Sequence, residues 1–190
     1  PKDVEKAFTE KKLKAFKNKY WAKAQKNWDR FFLISNPRKD ITWKKNAPNT
    51  MHVVFKKIKN PTVQAWLKEN VEDEFKIDDL GWNLEMSFIK GRIWGGTAYL
   101  EFQPNVTPHV SGGNKIVMDA NTPLEEYGVK WTIRHEYGHI LRIPDCYHEF
   151  YDRANNQMIN YQLDITDLMC SRVGQMNERI YNELKRVYLK

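Results

Sequence analysis

The segment at residues 135–139, H-E-Y-G-H, constrains the fold of this chain more than any other stretch. Its two histidines are four residues apart, and side chains at that spacing share a site only when the backbone between them is helical. Three apolar residues upstream fall close to the same helical face: Leu124, Tyr127 and Trp131. The pattern therefore predicts a helix that turns both histidines toward a sheet.

Signals at both ends set the expected limits of this helix. Thr122 is suited to the N-cap position, Pro123 to the first helical position, and Glu125 completes a capping box three residues after the cap. Pro144 pushes the residue before it out of helical geometry, so the chain should leave the helix near Arg142. We expect a helix from Thr122 to about Arg142.

The spacing of His135, Glu136 and His139 is that of a zinc site on a helix, in which the two imidazoles bind the ion and the glutamate lies beside it. A catalytic zinc ion normally takes three protein ligands and leaves a fourth position for water. Asp145 follows just after the proline turn and is the first candidate for the third ligand. His148 and Glu149 are the alternatives within reach.

The remaining pattern predicts a mixed α+β fold. The expected helices cover residues 3–33, Pro61–Phe75 and Asn177–Tyr188, and the expected strands are Ile41–Trp43, Met51–Ile58, Trp82–Ile89, Thr97–Phe102 and Lys115–Ala120. We interpret residues 1–190 as a single domain with one catalytic zinc ion, in which residues 1–40 form a helical extension packed on the rest.

Charge and hydropathy narrow the function classes. The chain has 31 basic and 24 acidic residues, a net charge of +7, and many of its lysines lie in the first helix. Such a run is typical of the solvated side of an amphipathic helix, and nucleic-acid binding ranks last among our hypotheses. No apolar run is long enough for a membrane span, and we expect a monomer.

The stretch from His135 to Asp145, with Met169 downstream, resembles the metzincin zinc peptidases. It is most similar to the snapalysin-like variant, in which an aspartate replaces the third histidine. The resemblance covers roughly residues 115–171 and leaves the lysine-rich first helix without a counterpart. It departs from the family at Arg142, where those proteins usually have a glycine that turns the chain with positive φ.

This resemblance implies a twisted mixed sheet, an active-site helix, a methionine turn at Met169 and a C-terminal helix. It also implies zinc ligands His135, His139 and Asp145, with Glu136 as the general base of an endopeptidase. The substrate would be a protein or peptide in extended conformation, and we place it along Thr97–Phe102. Three tyrosines lie near the site in sequence, Tyr147, Tyr151 and Tyr161; one of them could donate a hydrogen bond to the oxyanion, with packing as the alternative role of each.

Two cysteines follow the expected ligand and the methionine, and the resemblance brings their segments together beneath the zinc. We therefore hypothesise a disulfide between Cys146 and Cys170, with two buried free thiols as the alternative. A disulfide would favour a secreted or periplasmic protein. The alternative function is a basic binding or adhesion domain that keeps a structural or vestigial zinc site.

Overall fold

A strand–helix–strand unit organises the larger sheet of this chain, whose computed structural model describes residues 2–91 and 96–190. The α helices of these ranges are α1 (Lys2–Thr9), α2 (Leu13–Phe32), α3 (Pro61–Asn70), α4 (Val129–Ile140) and α5 (Glu178–Tyr188). The strands are β1 (Ile41–Lys44), β2 (Ala47–Lys56), β3 (Lys76–Ile77), β4 (Trp82–Ile89), β5 (Tyr99–Gln103), β6 (His109–Ser111), β7 (Lys115–Asp119), β8 (Tyr147–Asp152) and β9 (Gln157–Gln162). The α+β class predicted from the sequence is confirmed.

The larger sheet has the strand order β1-β2-β4-β3, in which β2 and β4 are parallel and α3 connects them. The outer strands β1 and β3 are antiparallel to their neighbours. Trp82, Leu84 and Met86 of β4 are buried and alternate with exposed residues, since successive side chains of a strand point to opposite faces. The buried face of this sheet forms part of the apolar core.

A second, three-stranded sheet packs against the helix that contains His135 and His139. Its order is β5-β7-β6, with β5 parallel and β6 antiparallel to β7. The two sheets meet where the Lys56 amide donates to the carbonyl of Ala98 (2.7 Å). Helix α4 packs against β7 and β6, and α5 packs near β1, where Tyr181 contacts Trp43 and Trp82.

The predicted single helix over residues 3–33 is wrong, because the chain breaks between α1 and α2. Lys11 adopts a left-handed conformation with φ 54°, and the Lys12 amide donates to the carbonyl of Ala7, which is the bond pattern of a helix C-cap. Ala7 is buried, whereas α2 buries none of its residues.

No helix of the described ranges is both long and apolar enough to cross a bilayer.

The predicted helix start at Thr122 is also wrong, since α4 begins at Val129. The intervening segment forms successive turns instead, with the Glu126 amide donating to Pro123 and the Val129 amide to Glu126. Gly128 lies directly before α4 and costs about 1 kcal/mol relative to alanine inside a helix. The capping signature at Thr122 is therefore not used to begin a helix.

Candidate metal centre

Helix α4 supplies the first part of the site. Ile133, Tyr137 and Ile140 bury one side of this helix in the core, while His135, Glu136 and His139 line the adjoining cleft. Gly138 has a role that our sequence analysis missed. A Cβ atom at Gly138 would lie 2.2 Å from the sulfur of Met169, so only glycine allows the methionine turn to pack this close.

Three side chains converge beyond the end of α4. The Nε2 atom of His135 lies 3.0 Å from Oδ1 of Asp145, and Nε2 of His139 lies 3.1 Å from the same oxygen. Their donor atoms all lie within 4.8 Å of one another. In a tetrahedral zinc site with bonds of about 2.0–2.1 Å, neighbouring ligand atoms are about 3.3 Å apart. This His-His-Asp group is therefore close enough to bind a metal ion, and its donor set suits zinc.

Backbone carbonyls orient both imidazoles. Nδ1 of His135 is 2.9 Å from the carbonyl oxygen of Leu168, and Nδ1 of His139 is 2.9 Å from that of Ile143. A carbonyl only accepts, so each Nδ1 carries a proton, and each Nε2 faces Asp145. Without a metal ion the Nε2 atoms donate to this carboxylate, and on metal binding they would lose that proton and give their lone pairs to the ion. Partners of this kind fix the tautomer of histidine ligands in metal sites.

The charges at the site are strongly coupled. Burial raises the pKa of Asp145, but hydrogen bonds from His135 and His139 outweigh it and hold that pKa well below its usual range. Burial lowers the pKa of His139, and the hydrogen bond and charge of Asp145 reverse the shift and raise it. Burial raises the pKa of Glu136, and the charges of His139 and His135 oppose that shift. Asp145 is thus an anion, as a metal ligand must be.

The other two candidates for the third ligand lie apart from this group. His148 is exposed, and its ring lies 5.7 Å from that of Phe150. The carboxylate of Glu149 accepts a hydrogen bond from Asn160 (2.8 Å) across the β8–β9 pair. The structure brings Asp145 to the two histidines and leaves His148 and Glu149 outside the group.

Arg142 takes the backbone conformation for which the resembling families use glycine. Its φ is +70°, a left-handed value that is uncommon for a residue with a side chain. The guanidinium lies so close to Gly113 that a Cβ atom there would be 1.8 Å from Nη1 of Arg142. The chain therefore makes a left-handed turn at Arg142 without glycine, and the arginine side chain packs on the turn between β6 and β7.

A buried carboxylate organises the methionine turn. Asp167 is only 1% exposed and accepts hydrogen bonds from the Met169 amide (2.9 Å), Asn177 (2.8 Å) and Nε of Arg179 (2.7 Å). The fully buried Met169 lies beneath α4, and Leu168 accepts from His135. Asp167 thereby holds the segment whose Leu168 carbonyl orients the imidazole of His135. Sequence analysis missed it because its partner Arg179 lies on another element.

Cys146 and Cys170 form a disulfide in this structure. The amide of Cys146 also donates to the carbonyl of Met169 (3.1 Å). Both contacts join the segment that carries Asp145 to the segment that carries Met169, and the disulfide makes this connection covalent.

A cleft runs past the His-His-Asp group. On one side of Glu136 it forms a cavity of about 500 Å³ that β6 lines through His109 and Val110. On the other side it forms a cavity of about 530 Å³, lined by the β8–β9 hairpin and by Arg172. Neither cavity is lined by residues of Thr97–Phe102, the predicted substrate strand, and β6 borders the cleft instead.

The β8–β9 hairpin was not predicted from the sequence. Its strands do not alternate between buried and exposed residues, and most of their side chains are exposed, so they lack the usual pattern of a half-buried strand. It brings Tyr147 to the site, where this ring lies 6.0 Å from that of His135. Burial and the charge of Asp145 raise the pKa of Tyr147 to about 12, so its hydroxyl is a proton donor at neutral pH. Tyr151 and Tyr161 are exposed.

Comparison of this chain with protein-family models and with curated proteins finds no match.

The third ligand can be tested by zinc affinity. We expect Asp145→Ala to weaken zinc binding by at least about 100-fold, since even substitution of partners outside the ligand set costs 10- to 100-fold. His148→Ala should leave the affinity unchanged, because this side chain lies outside the group. Competition against a zinc-chelating dye measures both variants. Equal weakening by the two substitutions would contradict the assignment of Asp145.

Proposed function

We propose that this protein is a zinc-dependent endopeptidase of the metzincin type. The observation that carries the proposal is the arrangement of four side chains in one cleft. Two imidazoles, each oriented by a backbone carbonyl, and the carboxylate of Asp145 converge on one point. The carboxylate of Glu136 lies in the same cleft and makes no ion pair within the described residues. His135, His139 and Asp145 would hold the zinc ion.

Zinc at such a site polarises a carbonyl group and lowers the pKa of bound water. The protein supplies the proton transfers. Glu136 is next to His135 on α4 and lines both cavities, so it reaches the attacking water and the leaving nitrogen from one position. It accepts the proton of the water and then delivers it to the departing amine. Tyr147 lines both cavities as well and is placed to donate a hydrogen bond to the oxygen that gains charge.

The cleft suits an extended peptide. Strand β6 pairs with β7 on one side, and no strand of the described residues pairs with its outer edge. A free strand edge binds a peptide by strand addition through backbone hydrogen bonds. The substrate would follow β6, pass Glu136 and enter the cavity beside the β8–β9 hairpin. The side chains of Arg172, Asn160 and Gln162 line this cavity.

The alternative, a binding domain with a structural zinc, is disfavoured by Glu136. A structural zinc site needs the three ligands. It does not need a second carboxylate, that of Glu136, which lies beside them and is partly desolvated. Burying an ionisable group without a partner is costly, and such groups concentrate at catalytic sites.

Proteolysis of an unfolded protein substrate tests the proposal. We expect zinc-loaded protein to generate new peptide N termini from reduced, carboxymethylated casein, and we expect 1,10-phenanthroline to abolish the reaction. Restoring zinc should restore cleavage at the same bonds, which mass spectrometry of the products identifies. A binding domain would retain the casein or ignore it, and would produce no new N termini in either state.

A further inference from the structure

The N-terminal hairpin, residues 2–32 comprising α1 and α2, carries nearly all the excess charge of the chain. It contains ten basic and four acidic residues, a net charge of +6 out of +7 for the whole protein. Its only ion pairs in the described residues join Lys6 and Lys12 to Glu10. The lysines of α2 have no carboxylate partner there, so their charge is available to an anionic partner.

The same hairpin exposes large apolar side chains. Trp21 and Trp28 are 58% and 55% exposed, and Phe8 of α1 is 70% exposed. Val4, Leu13 and Tyr20 are exposed as well. Several bulky apolar residues on one short element are costly in water unless a partner covers them.

Four of the basic residues of α2 lie on the side opposite its two exposed tryptophans. At 100° per residue, Trp21 and Trp28 share a face, and four basic residues recur on the opposite face: Lys19, Lys23, Lys26 and Arg30. Two further lysines, Lys14 and Lys17, lie on the tryptophan face, within about 40° of Trp21, and the Lys17 ammonium lies 5.1 Å from the Trp21 ring. Long lysine side chains at the border of an apolar face can keep their charge at a polar boundary while the stem is buried.

The hairpin packs against the core through the last turn of α2. Phe31 and Phe32, in the last turn of α2, pack against the core, and Arg179 lies over the ring of Phe32 at 4.8 Å. Helix α2 buries no residue along its 20-residue length. Both the basic and the aromatic surface are therefore open to a large partner.

We propose that the N-terminal hairpin binds the surface of an anionic lipid bilayer. Trp, Leu and Phe side chains enter the boundary between headgroups and acyl chains, and lysines contact the negative headgroups, as in helices that lie in the membrane interface. A nucleic acid would use the lysines and stack on tryptophan, but Val4, Phe8 and Leu13 gain little from phosphates or duplex grooves. The lipid surface accounts for both the charge and the exposed aliphatic groups.

Flotation of the full-length protein with vesicles tests this proposal. We expect binding to equal mixtures of phosphatidylcholine and phosphatidylglycerol, and little binding to phosphatidylcholine alone. Each basic residue near an anionic surface contributes a factor of about five, so the triple variant Lys19→Gln, Lys23→Gln, Lys26→Gln should bind about 100-fold more weakly. A charge-matched control outside the hairpin, Lys44→Gln, Lys45→Gln, Lys59→Gln, should stay within about threefold of the wild type.

The tryptophans separate a bilayer from other polyanions. Trp21→Ser with Trp28→Ser keeps the charge, and we expect it to weaken vesicle binding at least about tenfold, because burial of the two rings is lost. Circular dichroism and zinc binding verify that each variant is folded. Three results would overturn the proposal: no binding to anionic vesicles, equal loss in the control triple variant, or duplex DNA binding as tight as vesicle binding and unaffected by the tryptophan substitutions.

Discussion

Replacing Glu136 with glutamine should abolish proteolysis while leaving zinc bound. Positioned general acid–base catalysis contributes about 10²- to 10⁴-fold, so we expect kcat/KM to fall by at least that range. Zinc content should not change, since the His-His-Asp group does not include this side chain. The measurement compares hydrolysis of a quenched fluorescent protein substrate by wild type and Glu136→Gln, each with verified zinc content.

Glu149 provides a matched control for that substitution. Its carboxylate lines the same cavity as Glu136 but is hydrogen-bonded to Asn160 and lies on the hairpin. Glu149→Gln should retain activity within a few-fold of the wild type. Equal losses in the two variants would mean that negative charge in the cleft, rather than a base at Glu136, supports the reaction.

Substitution of Asp167 should have the largest effect on stability. Removing one partner of a buried, hydrogen-bonded ion pair costs about 3–5 kcal/mol, because it leaves the other charge buried and unpaired. Asp167→Ala would leave the Arg179 guanidinium without its carboxylate partner, and the Met169 amide would lose its hydrogen-bond acceptor. We expect the free energy of unfolding to fall by about 3–5 kcal/mol in urea titrations of zinc-free protein with the disulfide intact.

Asp164 is the control for this experiment, since it lies in the same turn but is exposed. Its carboxylate accepts hydrogen bonds from the amide and hydroxyl of Thr166 (2.9 and 2.7 Å) and forms no ion pair in the described residues. Asp164→Ala should lower the free energy of unfolding far less than Asp167→Ala, because hydrogen bonds of an exposed carboxylate are replaced by water. Similar losses for Asp164→Ala and Asp167→Ala would show that Asp167 does not organise the methionine turn.

Local patterns in the sequence predict those parts of the fold that depend on neighbouring residues. Strand β4 has the predicted limits, Trp82–Ile89, and its apolar and polar residues alternate from Trp82 to Phe88. Helix α5 begins one residue after the predicted Asn177, whose side chain caps it by accepting from the Ile180 amide. The spacing of His135 and His139 likewise needs only one regular helix. These features follow from residues within a few positions of one another.

Contacts between distant residues account for what the sequence did not predict. The need for Gly138 depends on Met169, and the buried charge of Asp167 depends on Arg179. The cleft edge is β6 rather than Thr97–Phe102, because β7 lies between β5 and β6. A local sequence pattern does not show which distant residue a side chain will contact in the folded protein.

The start of α4 shows that a local signal can also mislead. Thr122, Pro123 and Glu125 have the composition of a helix start, yet this segment forms turns. The side chain of Asp119 accepts hydrogen bonds from the amides of Asn105 and Asn121 and so holds the chain in a loop before α4. A tertiary contact therefore overrides the capping signature.

Proteolytic activity measured against zinc added to metal-free protein tests the central claim most directly. Our account predicts no activity without zinc, a linear rise with added zinc and a plateau at one equivalent, with the Asp145→Ala variant needing at least about 100-fold more free zinc to reach half of its own maximum. Activity that is independent of zinc, or that continues to rise well beyond one equivalent in the wild type, would contradict a single catalytic ion held by His135, His139 and Asp145.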